Sequence, residues 1–283
     1  MRPTLRTLTP VDAGVVILAG GSGTRFGGVK QLVEVDSDGS AIMDILLRRA
    51  EVAGFSYGVA VVSPAIESAV RAHLGHTRGT LDGYAMPVEI AVQRLPGGRL
   101  RPLGTADAVL AARASVRGPF VVVNADDVYP ADAFALAAEH LRTAPDREHA
   151  MVGFRVARTL TSERPVSRAL VEIDEDRLVS APEGKVVMRA GELFFETDAS
   201  VLPLRGDECV SMNMWVLRES VFAALGDAVA AFIDDGSVGE VFLPDVMDSI
   251  VQAGETVRVL VSESECFGVT HDEDIAAVRA ALR

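Results

Sequence analysis

A regular alternation of short apolar runs with helix-period segments restricts the fold of this chain most. Strands are read at 14–19 (Gly-Val-Val-Ile-Leu-Ala), 57–63, 88–92 and 120–123, and the first and last of these are apolar on consecutive positions, not on alternate ones. A strand buried on both faces requires that composition. Between these runs the apolar spacing changes to that of a helix. Ile42, Ile45, Leu46, Ala50 and Val52 predict a helix over 42–53, and Gly54 suits its C-terminal cap. Further helices are predicted over 64–74, where Pro64 would occupy the first turn, and over 105–115 and 130–141. Strand–helix–strand units of this kind cross over right-handed and build a parallel sheet. The expected fold class is therefore α/β: a mostly parallel sheet flanked by helices.

The rhythm changes after residue 150. Strands are expected at 151–156, 169–173, 185–189, 193–196 and 210–217, with turns between them, so a mixed or antiparallel portion joins the first sheet. Helices are expected at 220–225 and 240–253, a strand at 257–261 and a last helix at 272–282. There is no repeat and no linker long enough to part domains. The expectation is one domain over 13–283, preceded by a flexible tail, 1–12.

Charge and cysteine content narrow the function. The chain carries 40 acidic and 27 basic residues, a net charge of −13. Such a surface repels phosphate backbones, so no nucleic-acid partner is expected. Cys209 and Cys266 are the only cysteines, too few and too far apart for a disulfide scaffold or a thiolate zinc site. The five histidines have no metal-ligand spacing, and most are expected at the surface. The first twelve residues are polar, without a signal-peptide core, and no apolar run reaches the roughly 18 residues that cross a bilayer. A cytoplasmic location without a membrane partner is expected. The acidic run 172–176 reads as a solvated turn and Trp215 as core. Ser211 lacks the flanking glycines of a hydrolase elbow.

Behind the first strand stands Leu18-Ala19-Gly20-Gly21-Ser22-Gly23-Thr24-Arg25-Phe26-Gly27-Gly28-Val29-Lys30. Its five glycines let bare backbone N–H groups approach an anion, and Arg25 and Lys30 add cationic donors. Of the 27 basic residues only Lys30 and Lys185 are lysine, which makes a lysine in this loop notable. Two familiar phosphate loops do not fit. A P-loop needs Ser or Thr after Gly-Lys, whereas Val29 precedes and Gln31 follows Lys30. A dinucleotide fingerprint needs glycine at position 26, where Phe stands, and an acid after the second strand, which ends at Ser63.

The loop resembles the signature of the sugar-1-phosphate nucleotidyltransferases, Gly-Gly-x-Gly-Thr-Arg with a downstream lysine. Five further segments follow in the family's order: Gln93 with Leu103-Gly104-Thr105-Ala106-Asp107-Ala108, Val122-Val123-Asn124-Ala125-Asp126-Asp127, Ser211-Met212-Asn213-Met214-Trp215, Glu240-Val241-Phe242-Leu243-Pro244-Asp245 and Phe267-Gly268-Val269-Thr270. The resemblance implies a Rossmann-like fold with a sugar-binding second half, 13–150 serving mainly the nucleotide and 151–283 mainly the acceptor. It also implies Mg²⁺-assisted in-line attack of a sugar phosphate, or a sugar-like cyclitol phosphate, on the α-phosphorus of an NTP. Catalytic roles fall to Arg25, Lys30 and Asp126. Nucleotide contacts fall to Leu18, Ala19, Gly20, Gly21, Gly23, Thr24, Gln93, Gly104, Thr105, Asn124 and Asp126. Acceptor contacts fall to Asp127, Glu183, Asn213 and Glu240, and metal ligation to Asp126 and Asp272.

Three departures mark this chain. The Arg25–Lys30 gap is short, as in cytidylyltransferases. The second metal position is Thr270, with Asp272 two residues on. A Glu-Lys-Pro segment near the sugar is replaced by Ala181-Pro182-Glu183-Gly184-Lys185, so Glu183 or Lys185 takes its place. A cytidylyltransferase for another phosphorylated alcohol or a phosphonate, and a non-catalytic nucleotide-binding regulator, stay open beside the main reading. A homodimer is allowed by the antiparallel portion.

Overall fold

The computed structural model describes residues 9–20, 30–36, 39–78, 83–95, 99, 102–269 and 272–282. In chain order its elements are β1 (Gly14–Leu18), α1 (Ile42–Ala53), β2 (Tyr57–Val62), α2 (Glu67–Thr77), β3 (Val88–Val92), α3 (Thr105–Ala111), β4 (Phe120–Asn124), β5 (Asp127–Val128), α4 (Ala131–Thr143) and β6 (His149–Arg155). They continue as β7 (Val166–Leu170), β8 (Glu172–Asp174), β9 (Arg177–Ser180), β10 (Glu183–Arg189), β11 (Glu192–Glu196), β12 (Val201–Leu204), β13 (Cys209–Leu217), α5 (Val221–Asp234), α6 (Leu243–Gln252), β14 (Val257–Ser262), β15 (Phe267–Gly268) and α7 (Asp272–Ala281).

The expected α/β architecture is present. Along the main path of a 13-stranded sheet the order is β12-β11-β10-β7-β13-β4-β1-β2-β3. The β4-β1-β2-β3 portion is parallel throughout. β13 then runs antiparallel to β4, to β7 and to β6, which introduces the mixed second half. Two cores sandwich the sheet. Val15 and Ile17 of β1 join α1, α2, α4 and α7 on one face, while Val16 joins α3, α5 and α6 on the other. That is why β1 is apolar at every position. Each such fully buried side chain contributes roughly 1.5–3 kcal/mol. Among the described residues no helix is long and apolar enough to cross a membrane.

Several sequence expectations are adjusted. α2 starts at Glu67, because residues 64–66 form a tight turn closed by the Ile66 N–H on Ser63 O (3.2 Å). α5 runs to Asp234, nine residues beyond the expected end at 225, because neighbouring helices hold it across Gly226. α6 begins at Leu243, with Glu240 outside it. The run 172–176 is exposed as expected, but it is a hairpin: β8 leads to Glu175 and Asp176 at positive φ and then to β9. Two histidines expected at the surface are buried, His140 (5% exposed) and His149 (0%). His149 sits where β6 meets Arg218, whose backbone N–H donates to its Nδ1 (3.2 Å). Trp215 is core, as read.

Candidate active site

In an open α/β sheet, ligands collect outside the carboxyl ends of the strands, where the strand order reverses. Here β1 is followed in sequence by β2 on one side, while β4 returns on its other side. The reversal therefore lies between the ends of β1 and β4. Leu18 and Asn124 stand opposite each other there, and the Ala125 N–H donates to Leu18 O (3.0 Å). Ala19 is buried and donates its N–H to Val61 O (2.7 Å), which aims the chain at Gly20 away from the sheet. Gly21, Gly23, Thr24 and Arg25 lie outside the described residues, as does the side chain of Lys30. The backbone of Lys30 opens a short 3-10 helix, Lys30–Leu32.

Gln93 joins two of the predicted nucleotide segments. It is 4% exposed, and its amide donates to Gly104 O (3.0 Å) and to Asp107 Oδ2 (2.8 Å). A side chain at Gly20 would lie 2.9 Å from Gln93 Oε1, so that amide is packed under the start of the glycine loop. Both its N–H groups are spent inside the chain. Burial raises the Asp107 carboxyl, and the Gln93 hydrogen bond opposes that shift. Gly104 has φ +108°, and a Cβ there would meet Val241 O at 2.4 Å. Thr105 accepts the Leu243 N–H at its Oγ1 (2.8 Å), which ties the start of α3 to the start of α6. Glu240 borders Gly104, is exposed, and is not among the residues lining the cleft described next.

Beside the end of β4 opens a cleft of about 220 Å³. Its wall brings together Thr105, Asn124, Asp127, Glu183 and Asn213 from the sequence reading, and adds Arg168. Asn213 reaches it through a bulge. Between Ser211 and Met214 the register of β13 against β6 shifts, and Asn213 takes φ +60°, a left-handed conformation asparagine tolerates. The Asn213 N–H donates to Ser211 Oγ (3.1 Å). Across the cleft floor Asn213 Nδ2 donates to Asn124 Oδ1 (2.8 Å), and Asn124 Nδ2 donates to Asp127 Oδ2 (2.9 Å).

Asp127 is the most perturbed carboxyl of the site. Burial first, and the neighbouring Asp126 second, push it up to about 7, while Asn124, Arg168 and Tyr129 pull it back. Tyr129, fully buried, lies within 2.6 Å of Met212 O and 3.2 Å of Asp127 Oδ2, and its oxygen accepts the Asn124 N–H (3.1 Å). Arg168 is anchored by the Thr159 carbonyl (2.9 Å), the Thr159 hydroxyl (3.3 Å) and the Ser167 carbonyl (2.8 Å). Its charge partly offsets that of the buried acid. Glu183 is raised by burial and by Asp245. Sequence reading missed Arg168 and Tyr129. The signal for Arg168 was an arginine between Val166 and Leu170 on one face of a strand.

The donor set suits a divalent hard cation. Asp126 is partly exposed at the strand end beside buried Asp127, and repulsion between the two is what a bound cation would relieve. The Val269 N–H holds the Asp126 carbonyl (2.8 Å) and so brings the chain leading to Asp272 alongside; the Asp272 side chain lies outside the described residues. Among the described residues no three His, Cys, Asp or Glu side chains form a ligand cage. Mg²⁺ needs none, since one or two carboxylates with substrate phosphates suffice.

Solved structures of other proteins share this fold. Structures with this fold include an inositol-1-phosphate CTP transferase from T. maritima (TM-score 0.61, 14% identity, 96% of this chain and 98% of that one). They also include a UDP-glucose pyrophosphorylase complexed with UDP-glucose (0.62, 14%, 96% and 99%) and a putative glucose-1-phosphate thymidylyltransferase from Bacillus anthracis in complex with a sucrose (0.65, 14%, 96% and 95%). No curated protein sequence matches this chain. The model of the MobA-like NTP transferase domain matches residues 15–180, more than half of the molecule. With the strand ends, the glycine loop and the carboxylate pair all within that match, the chain belongs to the MobA-like NTP transferase family.

Proposed function

We propose that this enzyme transfers a nucleotidyl group from an NTP to a phosphorylated sugar or cyclitol and releases pyrophosphate, with Mg²⁺ held at Asp126. One observation carries the reading. The end of β1, which leads into the glycine loop, meets the Asn124–Asp127 strand end, and a small cleft lined by Asn124, Asp127, Arg168, Glu183 and Asn213 opens beside that junction. Structural neighbours whose names specify sugar phosphates and inositol 1-phosphate support this choice of acceptor class.

In this reaction an oxygen of the acceptor phosphate forms a bond to the α-phosphorus, and the bond from that phosphorus to the β-bridging oxygen breaks. The nucleophile is already an anion, so no base is required. The barrier lies in bringing two polyanions together in line, and positioning supplies up to about 7–11 kcal/mol of such a barrier. Arg25 serves the β- and γ-phosphates that leave, and Lys30 neutralises the α-phosphate. Asn124 and Asn213 offer amide N–H groups to acceptor oxygens, and Glu183 offers a carboxylate to its hydroxyls. Arg168 partly offsets the charge of Asp127, which lowers the cost of a second anion entering the cleft. The metal, when bound, neutralises charge on the transferring phosphate.

A pyrophosphate-release screen of the four NTPs against sugar 1-phosphates and inositol phosphates tests the proposal. Turnover with at least one pair is expected. Absence of turnover with every pair refutes it.

A further inference from the structure

The hydrogen bonds of the cleft floor run in one direction, and the donor at their head lies outside the cleft. Trp215 is fully buried in β13, and its indole nitrogen can only donate. It donates to Asn213 Oδ1 (2.9 Å). That fixes which end of the Asn213 amide is oxygen, so Nδ2 must be the atom 2.8 Å from Asn124. The Asn124 partner is then Oδ1, and its Nδ2 is left for Asp127 Oδ2 at 2.9 Å. Trp215 at the head is a donor and the Asp127 carboxylate at the tail an acceptor, and both select this same direction.

We propose that Trp215 is a positioning residue for the acceptor: it orients both amides so that each turns its oxygen inward to the relay and keeps one N–H for the ligand. The cleft floor is then a pair of N–H donors, matched to oxygens with free lone pairs, as in a polyol hydroxyl or a phosphate. If Asn213 were reversed, its oxygen would face Asn124 Oδ1 and force that amide round too. A carbonyl would then meet Asp127, and acceptor groups would replace donors. The left-handed backbone of Asn213 is consistent with this role, because strain retained at a bulge is found where a side chain must be aimed. The inference rests on the nucleotidyl-transfer reading above.

Trp215 is the only tryptophan of the chain, which permits a change of a few atoms. Protein made in a tryptophan auxotroph fed β-(3-benzothienyl)alanine carries sulfur where the indole N–H was, with nearly the same shape. The KM for the acceptor is expected to rise about tenfold, the effect of one lost neutral hydrogen bond, while the KM for NTP stays as it was. An unchanged acceptor KM overturns the assignment. So does a parallel rise of both KM values, which would indicate a merely structural role. A second measurement uses unmodified protein labelled with ¹⁵N-indole, which gives one cross-peak. Sugar phosphate is expected to shift it at saturation, and a stationary peak overturns the assignment even if the substituted protein fails to fold. Lack of turnover by unmodified protein with every pair sinks the transferase reading, and this inference with it. Turnover without a difference sinks this inference alone.

Discussion

Gly104 offers a quantitative test, because the same substitution elsewhere in the chain should have the opposite sign. Its backbone has φ +108° and ψ −172°, a region open essentially to glycine alone. A Cβ would lie 2.4 Å from Val241 O and 2.8 Å from Val241 N. Both atoms are backbone, and both are committed: the Val241 N–H donates to Leu103 O (2.6 Å) and its carbonyl accepts the Ala106 N–H (3.1 Å). They cannot rotate away. Backbone strain of about 1–3 kcal/mol and overpacking of about 1–3 kcal/mol then add to roughly 3 kcal/mol or more for Gly104→Ala. At about 2 cal/mol/K of unfolding entropy per residue, that is a fall in Tm of about 5 °C for a chain of this size. Gly226 sits inside α5 with nothing within 4 Å of its virtual Cβ. Gly226→Ala should gain up to about 1 kcal/mol, a rise of some 1–2 °C. Scanning calorimetry on both variants provides the comparison, with the KM for NTP as a second readout, since Gly104 O anchors Gln93. A Gly104→Ala protein within 1 °C of the parent, or both variants moving the same way, would refute the reasoning.

Further outcomes follow from the site and the core. Asp126→Asn should cut turnover on the order of a hundredfold without a change in Tm, since the side chain is partly exposed; full activity in the pyrophosphate assay would remove it as the metal ligand. Tyr129→Phe leaves the Asn124 N–H and Met212 O without their partner in the core, which should cost about 2 kcal/mol, near 3 °C, by thermal unfolding; a neutral result would mean the cleft floor does not depend on that hydroxyl. His149 is held neutral, pushed down to about 4 by burial and then by Arg218 and His140. Above its unfolded value near 6.5 neither state binds the proton. Between there and about 4 only the unfolded state does, so stability is present above 6.5 and falls as pH drops, by roughly 2 kcal/mol from this group between pH 6.5 and 5. Urea unfolding at the two pH values measures the loss, and an NMR titration of the His149 ring with a midpoint at 6 or above would contradict it.

The alternation of apolar runs with helix-period segments sufficed for the parallel half, because the inner strands β1, β2 and β4 are covered on both faces and each residue there reports its own burial. α1 and β3 match their expected bounds. Of the residues that the resemblance singled out, Asn124, Asp127, Glu183 and Asn213 meet at one cleft. Tertiary contact decided the rest. The length of α5 depended on neighbours that outweigh one glycine, and the short pair β5–β15 exists only because distant segments meet. The burial of His140 and His149 follows from where β6 and Arg218 come together, which spacing along the chain does not encode. The bulge that turns Asn213 into the cleft, the cation that partly offsets Asp127 and the direction of the amide relay belong to the same class. Each depends on which groups stand within about 3 Å across strands far apart in sequence, and only the folded sheet sets those distances.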